Sequence, residues 1–279
     1  VHIDSWPTKL SLPDWIWAKL VLYYGEEEAI AFGTSLLSPA TLQLRVNSLK
    51  TMSVQEVVNE FRLSFPDEVD KIKKTELSKQ GITLPRGTAI QKHPLFLEGA
   101  IEVQEEGSQL LTLLLDVKRG HMVADFCAGA GGKTLALSAL MKNTGRIYAF
   151  DISDRRLANM KQRLKRSGAS NIAMQRISNE NDLKIKRLRN KLDRVLVDAP
   201  CTGLGTLRRN PDLKWRQTEE SLAELATKQA SILEAASKLC KKGGYLVYAT
   251  CSILNDENEN IIATFLENNQ HFKIIPQHN

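Results

Sequence analysis

The stretch Val123-Ala-Asp-Phe-Cys-Ala-Gly-Ala-Gly-Gly-Lys-Thr134 decides the fold class. It begins as an apolar strand, continues through small residues and enters a helical pattern near Lys133. Glycines let a backbone approach a ligand closely, and the N-terminus of a following helix offers N–H groups to a carboxylate or a phosphate. The stretch therefore predicts a nucleotide-type loop between a strand and a helix.

Three ligand classes compete for this loop. A phosphate-binding P-loop requires glycine where Cys127 stands, although Gly132-Lys133-Thr134 matches the end of that motif. A dinucleotide loop requires a third glycine where Thr134 stands. An adenosylmethionine loop fits better, because Asp151 ends the next strand-like run 19 residues after Gly132 and can accept hydrogen bonds from ribose hydroxyls. A strand-to-helix turn without a ligand remains an alternative.

Strand and helix patterns alternate from Gly107 onward. Strands are predicted at 122–126, 146–150, 172–177, 194–197 and 245–249, with helices at 133–141, 155–167 and 221–239. Alternation of this kind is typical of a parallel sheet with helices on both faces. Cys240 is predicted to lie late in a helix, as a packing or an incidental thiol.

Two other patterns precede Gly107. Residues 1–38 have helical spacing, with helix starts at Ser11 and at Glu26, and residues 39–106 mix strands, turns and an amphipathic helix after Ser53. The sequence thus predicts an α/β fold: a Rossmann-like domain over 107–279, preceded by a helical segment (1–38) and a small α+β module (39–106).

Composition favours a polyanionic partner. The net charge is +6 and the pI about 9.1, and lysine and arginine attract phosphate. Residues 1–10 lack the positive region and apolar stretch of a signal peptide, and no apolar run is long enough for a membrane span, so we expect a cytoplasmic protein. The four cysteines form no C-x-x-C pair, so no metal site is expected. We also expect a monomer.

Two cysteine motifs follow predicted strands. Asp198-Ala-Pro-Cys201 follows the run 194–197, and Ala249-Thr-Cys-Ser252 follows the next strand. Ligands of open parallel sheets bind at the carboxyl ends of the strands. Asp198, Cys201 and Cys251 are therefore expected to face one site.

Together with the loop, these motifs resemble the RNA cytosine-C5 methyltransferase family, whose bacterial members include small-subunit rRNA methyltransferases. Supporting matches are Leu44-Arg-Val-Asn47 with Lys50, the stretch 101–109, and Arg208-Arg-Asn-Pro-Asp-Leu-Lys-Trp215, and the resemblance covers roughly residues 11–270. It implies a Rossmann-like methyltransferase fold, S-adenosyl-L-methionine as cofactor, and formation of 5-methylcytosine in RNA.

The resemblance also implies residue roles. Cys251 would add to C6 of cytosine, which makes C5 nucleophilic, while Cys201 would assist product release and Asp198 would hydrogen-bond the cytosine edge. The family usually has Ala-Pro where this chain has Gly129-Ala130, and often has an acid at Ser178. The implied cofactor-binding residues are Cys127, Ala128, Gly129, Ala130, Gly131, Gly132, Lys133, Asp151, Ser178 and Asp198.

An RNA substrate must be single-stranded or have its base flipped out to reach such a site. The expected RNA contacts are Arg45, Asn47, Lys50, Arg208, Arg209 and Lys214, whereas Trp215 is open to stacking or packing. We expect ribosomal RNA before transfer RNA. The alternatives are a transfer-RNA enzyme, a methyltransferase for DNA, protein or a small molecule, and a non-catalytic RNA-binding or assembly factor that retains the fold.

Overall fold

The computed structural model describes residues 4–276, so the outer ends of the predicted regions 1–38 and 107–279 lie outside the described residues. The chain forms two compact units. The first, called the sheet unit below, comprises Thr41–Asp198 and Ala235–Tyr248. The second, called the helical unit, comprises Val1–Ala40, Ala199–Glu234 and Ala249–Asn279.

The helices are α1 (Trp6–Lys9), α2 (Asp14–Tyr24), α3 (Glu26–Leu36), α4 (Val54–Ser64), α5 (Pro94–Leu97), α6 (Glu106–Leu114), α7 (Gly132–Leu140), α8 (Asp154–Ser167), α9 (Leu183–Lys186), α10 (Leu213–Arg216), α11 (Glu219–Ser237) and α12 (Glu259–Asn268). The strands are β1 (Leu42–Val46), β2 (Lys73–Lys74), β3 (Gly81–Leu84), β4 (Ile101–Val103), β5 (Met122–Asp125), β6 (Arg146–Asp151), β7 (Ile172–Arg176), β8 (Leu192–Asp198) and β9 (Cys240–Ala249). No helix among these is long and apolar enough to cross a membrane.

A five-stranded sheet in the sheet unit has the order β7-β6-β5-β8-β9. The pairs β5–β6, β6–β7 and β5–β8 are parallel. Val123, Ile147 and Leu196 are fully buried in one core with Leu137 of α7, which explains why these strands are apolar. The Rossmann-like fold predicted from the alternation is confirmed, and the strand order reverses between β5 and β8, where such sheets bind ligands.

A second sheet in the same unit has the order β2-β3-β1-β4, with antiparallel pairing throughout. Helix α4 begins after Ser53, whose hydroxyl accepts from the backbone N–H of Glu56, while the Glu56 carboxylate accepts from the N–H of Ser53. Val57 and Phe61 of this helix are buried in the core of the sheet. Residues 39–106 thus contain the predicted mixture of strands and helix.

The helical unit corrects the predicted division into three consecutive regions. Helices α2 and α3 bury their apolar residues, including Ile16 and Leu20, against side chains supplied much later by the chain: Leu204, Leu207, Leu222 and Leu254. Short helices cannot bury an apolar face alone. The segment 1–38 therefore shares one core with residues beyond 198.

The predicted position of Cys240 at a helix end was wrong. Helix α11 ends at Ser237, and Cys240 is the first residue of β9. Its thiol is buried, as predicted for a packing residue, and burial raises the pKa of Cys240 to about 11. A side chain at Gly244 would come within 2.8 Å of the Cys240 Sγ, so the strand is closely packed here.

Candidate active site

The segment 126–131, which we call the glycine loop, connects β5 to α7 in the sheet unit. The backbone N–H of Ala128 donates to the Phe150 carbonyl, and that of Gly131 donates to the Ala128 carbonyl, both over 2.9 Å. Gly131 has φ +86°, and a Cβ there would lie 2.5 Å from the Cγ of Met160. The loop therefore needs glycine at this position for its backbone conformation and for its close approach to α8.

The carboxylate of Asp151 lies against this loop. Its Oδ2 accepts from the backbone N–H of Gly129 over 2.9 Å, and its Oδ1 accepts from the N–H of Ser153 over 2.8 Å. Each carboxylate oxygen can accept more than one hydrogen bond. A Cβ at Gly129 would meet nothing within 4 Å, so space remains above the loop beside Asp151. The predicted neighbourhood of loop and strand-end carboxylate is present.

Asp125 lies at the end of β5, and only 1% of its surface is exposed. Its Oδ2 accepts from the Thr134 hydroxyl over 2.7 Å, and its buried Oδ1 has no partner among the described residues. Burial raises the pKa of Asp125 to about 6. A buried carboxylate with an unused acceptor suits a site that receives a hydrogen-bond donor such as an amine.

Lys133 and Asp198, both predicted from sequence, meet in the structure. The Nζ of Lys133 lies 2.6 Å from the Oδ2 of Asp198, which ends β8. The carboxylate keeps partial access to solvent. The pair joins the first turn of α7 to the end of β8, at the point where the strand order reverses.

The other two predicted catalytic residues lie together in the helical unit. The backbone N–H of Cys251 donates to the Sγ of Cys201 over 3.2 Å. Cys251 is exposed and Cys201 is half-buried. Hydrogen bonding to the Cys251 side chain, together with burial, raises the pKa of the Cys201 thiol far above its ordinary value. Cys201 therefore stays protonated at neutral pH.

Glu257 supports this pair and was not predicted. It is fully buried, and its two carboxylate oxygens accept from the backbone N–H of Thr202 over 2.9 Å and from the Thr202 hydroxyl over 2.6 Å. The Gln229 Nε2 donates to Glu257 over 3.0 Å and to the Pro200 carbonyl over 2.9 Å. The residues on both sides of Cys201 are thus held in place. An acid six residues after Cys251 is the only sequence signal, and it does not reveal the partner.

The carbonyl of Cys251 is also fixed. It accepts from the backbone N–H of Gly205 over 2.8 Å, and a Cβ at Gly205 would come within 2.8 Å of the same oxygen. Thr250 donates to the Asn258 Oδ1 over 2.6 Å. Glycine at 205 is therefore a requirement of the approach between the two cysteine-bearing segments.

Ser178 is exposed after β7, and both its N–H and its hydroxyl donate to the Oδ2 of Asp182. The same Asp182 caps α9 by accepting from the N–H of Lys184 over 2.9 Å. A role of Ser178 toward an adenine stays a prediction.

Two predicted RNA contacts need correction. Arg45 is 2% exposed, and its Nε donates to the Gln104 Oε1 over 2.7 Å. Asn47 is buried too, and its Nδ2 donates to the carbonyls of Gly99 and Ser167, each over 2.8 Å. Both side chains are engaged inside the sheet unit and cannot meet a phosphate at its surface.

The remaining predicted contacts lie at or near the surface. Lys50 and Lys214 are partly exposed, and Arg208 and Arg209 are exposed. Arg208 donates to the backbone carbonyls of Ser38 and Pro39 in the helical unit, which gives its side chain a structural task. Trp215 is 64% exposed, so it does not pack into a core. Its ring lies 5.6 Å from the Lys214 Nζ.

Within residues 4–276, no cluster of three or more His, Cys, Asp or Glu side chains is arranged to hold a metal ion. The chemistry of the described site groups is that of thiols, carboxylates and one lysine.

Comparison with known proteins defines the class. The profile of the 16S rRNA methyltransferase RsmB/F family matches residues 112–279. The chain belongs to this family, which confirms the resemblance seen in the motifs. Among curated relatives, the probable ribosomal RNA small subunit methyltransferase B of Bacillus subtilis is 32% identical over 266 residues. The match covers 95% of this chain and 58% of that protein, so the chain spans less than two thirds of the relative's length.

Solved structures agree. A methyltransferase homologue from Pyrococcus horikoshii is 34% identical and superposes with a TM-score of 0.80, covering 94% of this chain and 81% of that one. NSun6 from Pyrococcus horikoshii, whose structure contains SFG, is 21% identical with a TM-score of 0.81, over 92% of this chain and 87% of that one. At that identity the second likeness shows the fold alone.

Proposed function

We propose that this protein is an S-adenosylmethionine-dependent methyltransferase that forms 5-methylcytosine in ribosomal RNA through a covalent bond between Cys251 and the base. The observation that carries the proposal is the contact between two cysteines of unequal exposure, of which the less exposed, Cys201, stays protonated. Membership of the RsmB/F family supports ribosomal RNA as the substrate. We further propose that the protein acts as a cytoplasmic monomer.

The residues around the glycine loop fit S-adenosylmethionine. Asp151 suits the ribose hydroxyls, the unpaired Oδ1 of Asp125 suits a donor such as an amine, and the N-terminus of α7 suits a carboxylate. The space beside Gly129 admits a ligand close to the backbone. When bound, the cofactor supplies an electrophilic methyl group. The SFG bound in the NSun6 structure, an analogue of this cofactor, is consistent with the assignment.

Cys251 performs the covalent step. Its thiolate forms an S–C6 bond with cytosine, and the electron pair displaced from the ring makes C5 nucleophilic enough to take the methyl group. The C5 proton is then lost to water, the S–C6 bond breaks, and the thiolate leaves with the electrons of that bond. The exposure of Cys251 suits attack on a base that arrives from outside.

Cys201 and Asp198 assist at different stages. A thiol that stays protonated can hydrogen-bond the departing thiolate of Cys251, which favours breakage of the S–C6 bond. Asp198 accepts a hydrogen bond from the cytosine edge, and Lys133 holds its carboxylate in position. These roles agree with those that the family resemblance implies.

RNA contacts are proposed on the surface around α10 rather than at Arg45 and Asn47. Trp215 offers an exposed ring for stacking, while Arg209 and Arg216 offer positive charge for phosphates. The Arg216 Nη2 is within 2.8 Å of the Asp212 carboxylate, which orients it without removing it from solvent. Lys50 and Lys214 remain proposed phosphate contacts.

A trapping assay tests the proposal. The protein is incubated with S-adenosylmethionine and with small-subunit rRNA fragments or transfer RNA containing 5-fluorocytosine, and then run on a denaturing gel. Fluorine blocks the loss from C5, so an adduct should persist with the wild type and with Cys201→Ala but not with Cys251→Ala. An adduct with transfer RNA alone would identify transfer RNA, rather than ribosomal RNA, as the substrate. No adduct with either RNA, despite cofactor binding, would favour another acceptor or a non-catalytic protein.

A further inference from the structure

A buried charged cluster in the sheet unit lies beside the glycine loop and has no part in the chemistry described above. Its centre is Glu102 on β4, whose carboxylate is almost fully buried. Glu102 accepts from the Nε and Nη2 of Arg163 over 3.0 and 2.9 Å, and from the Nη2 of Arg166 over 2.8 Å. A buried carboxylate with two arginines is a costly arrangement that demands good geometry.

The cluster reaches the loop through one atom. While two nitrogens of Arg163 face Glu102, its Nη1 donates to the carbonyl of Ala130 over 3.0 Å. A guanidinium is planar and rigid, so Arg163 fixes the position of the Ala130 carbonyl relative to the carboxylate of Glu102. A Cβ at Gly132 would also lie within 3.8 Å of the Arg163 guanidinium.

Helix α8, which carries Arg163, is itself fixed to the antiparallel sheet. Asn47 donates to the Ser167 carbonyl over 2.8 Å, and a Cβ at Gly99 would lie 2.1 Å from the Arg166 carbonyl oxygen. The Arg166 guanidinium lies 4.1 Å from the centroid of the Phe96 ring. Helix α8 therefore has little freedom to move away from β4 and α5.

Helix α8 also packs directly against the glycine loop. Met160, one turn before Arg163, packs against Gly131 so closely that no Cβ fits between them. Arg45, opposite Glu102 in the register of β1 and β4, adds a buried positive charge, and burial lowers its pKa to about 10. It stays protonated at neutral pH and places a further positive charge next to the Glu102 carboxylate.

We infer that Glu102 and Arg163 are positioning residues for the glycine loop: they hold the Ala130 carbonyl, and with it the loop N–H groups, in the conformation that receives the cofactor. The inference rests on the proposed function only for the identity of that cofactor. Its geometric part, that Arg163 restrains the loop, stands without it.

Arg163→Met is the decisive variant, because it removes the bond to Ala130 while Glu102 remains paired with Arg166. In the absence of cofactor, hydrogen exchange of the Ala128, Gly129 and Gly131 amides should become about tenfold faster, since these protected N–H groups open with the loop. The dissociation constant for S-adenosylmethionine, measured by calorimetry, should rise about tenfold. Arg163→Lys should recover only part of each effect, because one ammonium cannot span Glu102 and Ala130.

Arg176→Met is the matched control. Arg176 makes an exposed pair with Asp154, and its loss should leave exchange and affinity within twofold of wild type. If circular dichroism shows that Arg163→Met is poorly folded, the exchange rates and cofactor affinity of Arg163→Lys test the inference instead. Wild-type exchange in a folded Arg163 variant would overturn the inference. A wild-type protein that binds no cofactor would instead contradict the proposed function, while the exchange experiment would still test the restraint.

Discussion

The backbone N–H of Cys251 donates a hydrogen bond to the sulfur of Cys201, so the two cysteine-bearing segments are held together before any substrate arrives. Cys201 is held on both sides, by Gln229 at the Pro200 carbonyl and by Glu257 at Thr202. Preorganisation of this kind lowers the cost of reaching the reactive geometry. It also separates the two thiols by role, since one is exposed and the other stays protonated.

Cys201→Ala should uncouple bond formation from release. The variant retains the proposed nucleophile, so it should form the RNA adduct with unmodified cytosine and accumulate it. Turnover should fall by roughly 100-fold, because the departing Cys251 thiolate loses the hydrogen bond from the Cys201 thiol. A denaturing gel and a methyl-transfer assay measure the two effects. Cys240→Ala, at a buried thiol outside the site, is the control. Turnover within twofold of wild type would contradict the proposed role.

Asp125→Asn should change how stability depends on pH. The pKa of Asp125 is raised from 3.8 to about 6 in the folded protein, so the folded state holds its proton more tightly than the unfolded state. Its contribution to stability is therefore complete below pH 4 and is lost as the pH rises through 6, by up to about 3 kcal/mol.

Asparagine has no proton to lose and can still accept from Thr134. The difference in unfolding free energy between variant and wild type, measured in urea without cofactor, should thus grow in favour of the variant from pH 4 to pH 7. Asp154→Asn, at an exposed carboxylate, controls for net charge. Parallel pH profiles for wild type and Asp125→Asn would show that folding does not raise the pKa of Asp125.

Gly131→Ala should destabilise the protein more than Gly129→Ala. Both positions have positive φ, which costs an alanine about 1–2 kcal/mol. Only at Gly131 would the new methyl group also collide with Met160, at an additional cost of about 1–3 kcal/mol. Urea unfolding compares the two variants. Equal losses would mean that Met160 moves aside freely.

Glu257→Ala should lower the free energy of unfolding by about 2–5 kcal/mol, because it leaves the Thr202 N–H and hydroxyl without their acceptor and removes one of the two acceptors of the Gln229 Nε2. Glu257→Gln, which keeps one acceptor, should lose less. Glu259→Ala, two residues further on and exposed, should stay within about 0.5 kcal/mol of wild type. Chemical denaturation followed by circular dichroism measures the free energy of unfolding of each variant. A fully stable Glu257→Ala protein would show that the network is dispensable.

Trp215→Ala should weaken RNA binding by about tenfold or more without changing stability, since stacking of one base on an aromatic ring contributes about 1–3 kcal/mol. Fluorescence anisotropy with a single-stranded rRNA fragment at fixed salt measures the affinity. Trp6→Ala removes another exposed tryptophan that the proposal does not use. Identical affinities of the two variants would remove Trp215 from the RNA surface.

Local patterns predicted the parts of the fold that depend on local chemistry. Ser53 and Glu56 mark the start of α4, and the small residues from Gly129 to Gly132 mark the loop before α7. The rule that strand ends share one edge of a parallel sheet predicted Asp198 as a site residue at the end of its strand, whereas its contact with Lys133 was not predicted. Such signals need only residues close in sequence or a topology that the alternation implies.

Burial of charge was the part that sequence could not predict. Arg45 was expected to contact RNA and hence to lie at the surface, yet β1 pairs it directly with Glu102 on β4. Glu257 and Arg163 likewise owe their roles to partners far away along the chain. Which carboxylate meets which donor is decided by tertiary register, and a single sequence carries no record of it.

The four thiols differ in exposure and pKa environment, and this difference has a practical consequence. Cys127, Cys201 and Cys240 each have a pKa raised above the ordinary value, by burial in Cys127 and Cys240 and mainly by the hydrogen bond to Cys251 in Cys201, whereas Cys251 is exposed. Alkylating reagents attack thiolates that they can reach. An electrophilic probe at neutral pH should therefore report on the occupancy of a single position, and would allow ligands for this protein to be screened by competition, without radioactive methyl donors or purified ribosomes.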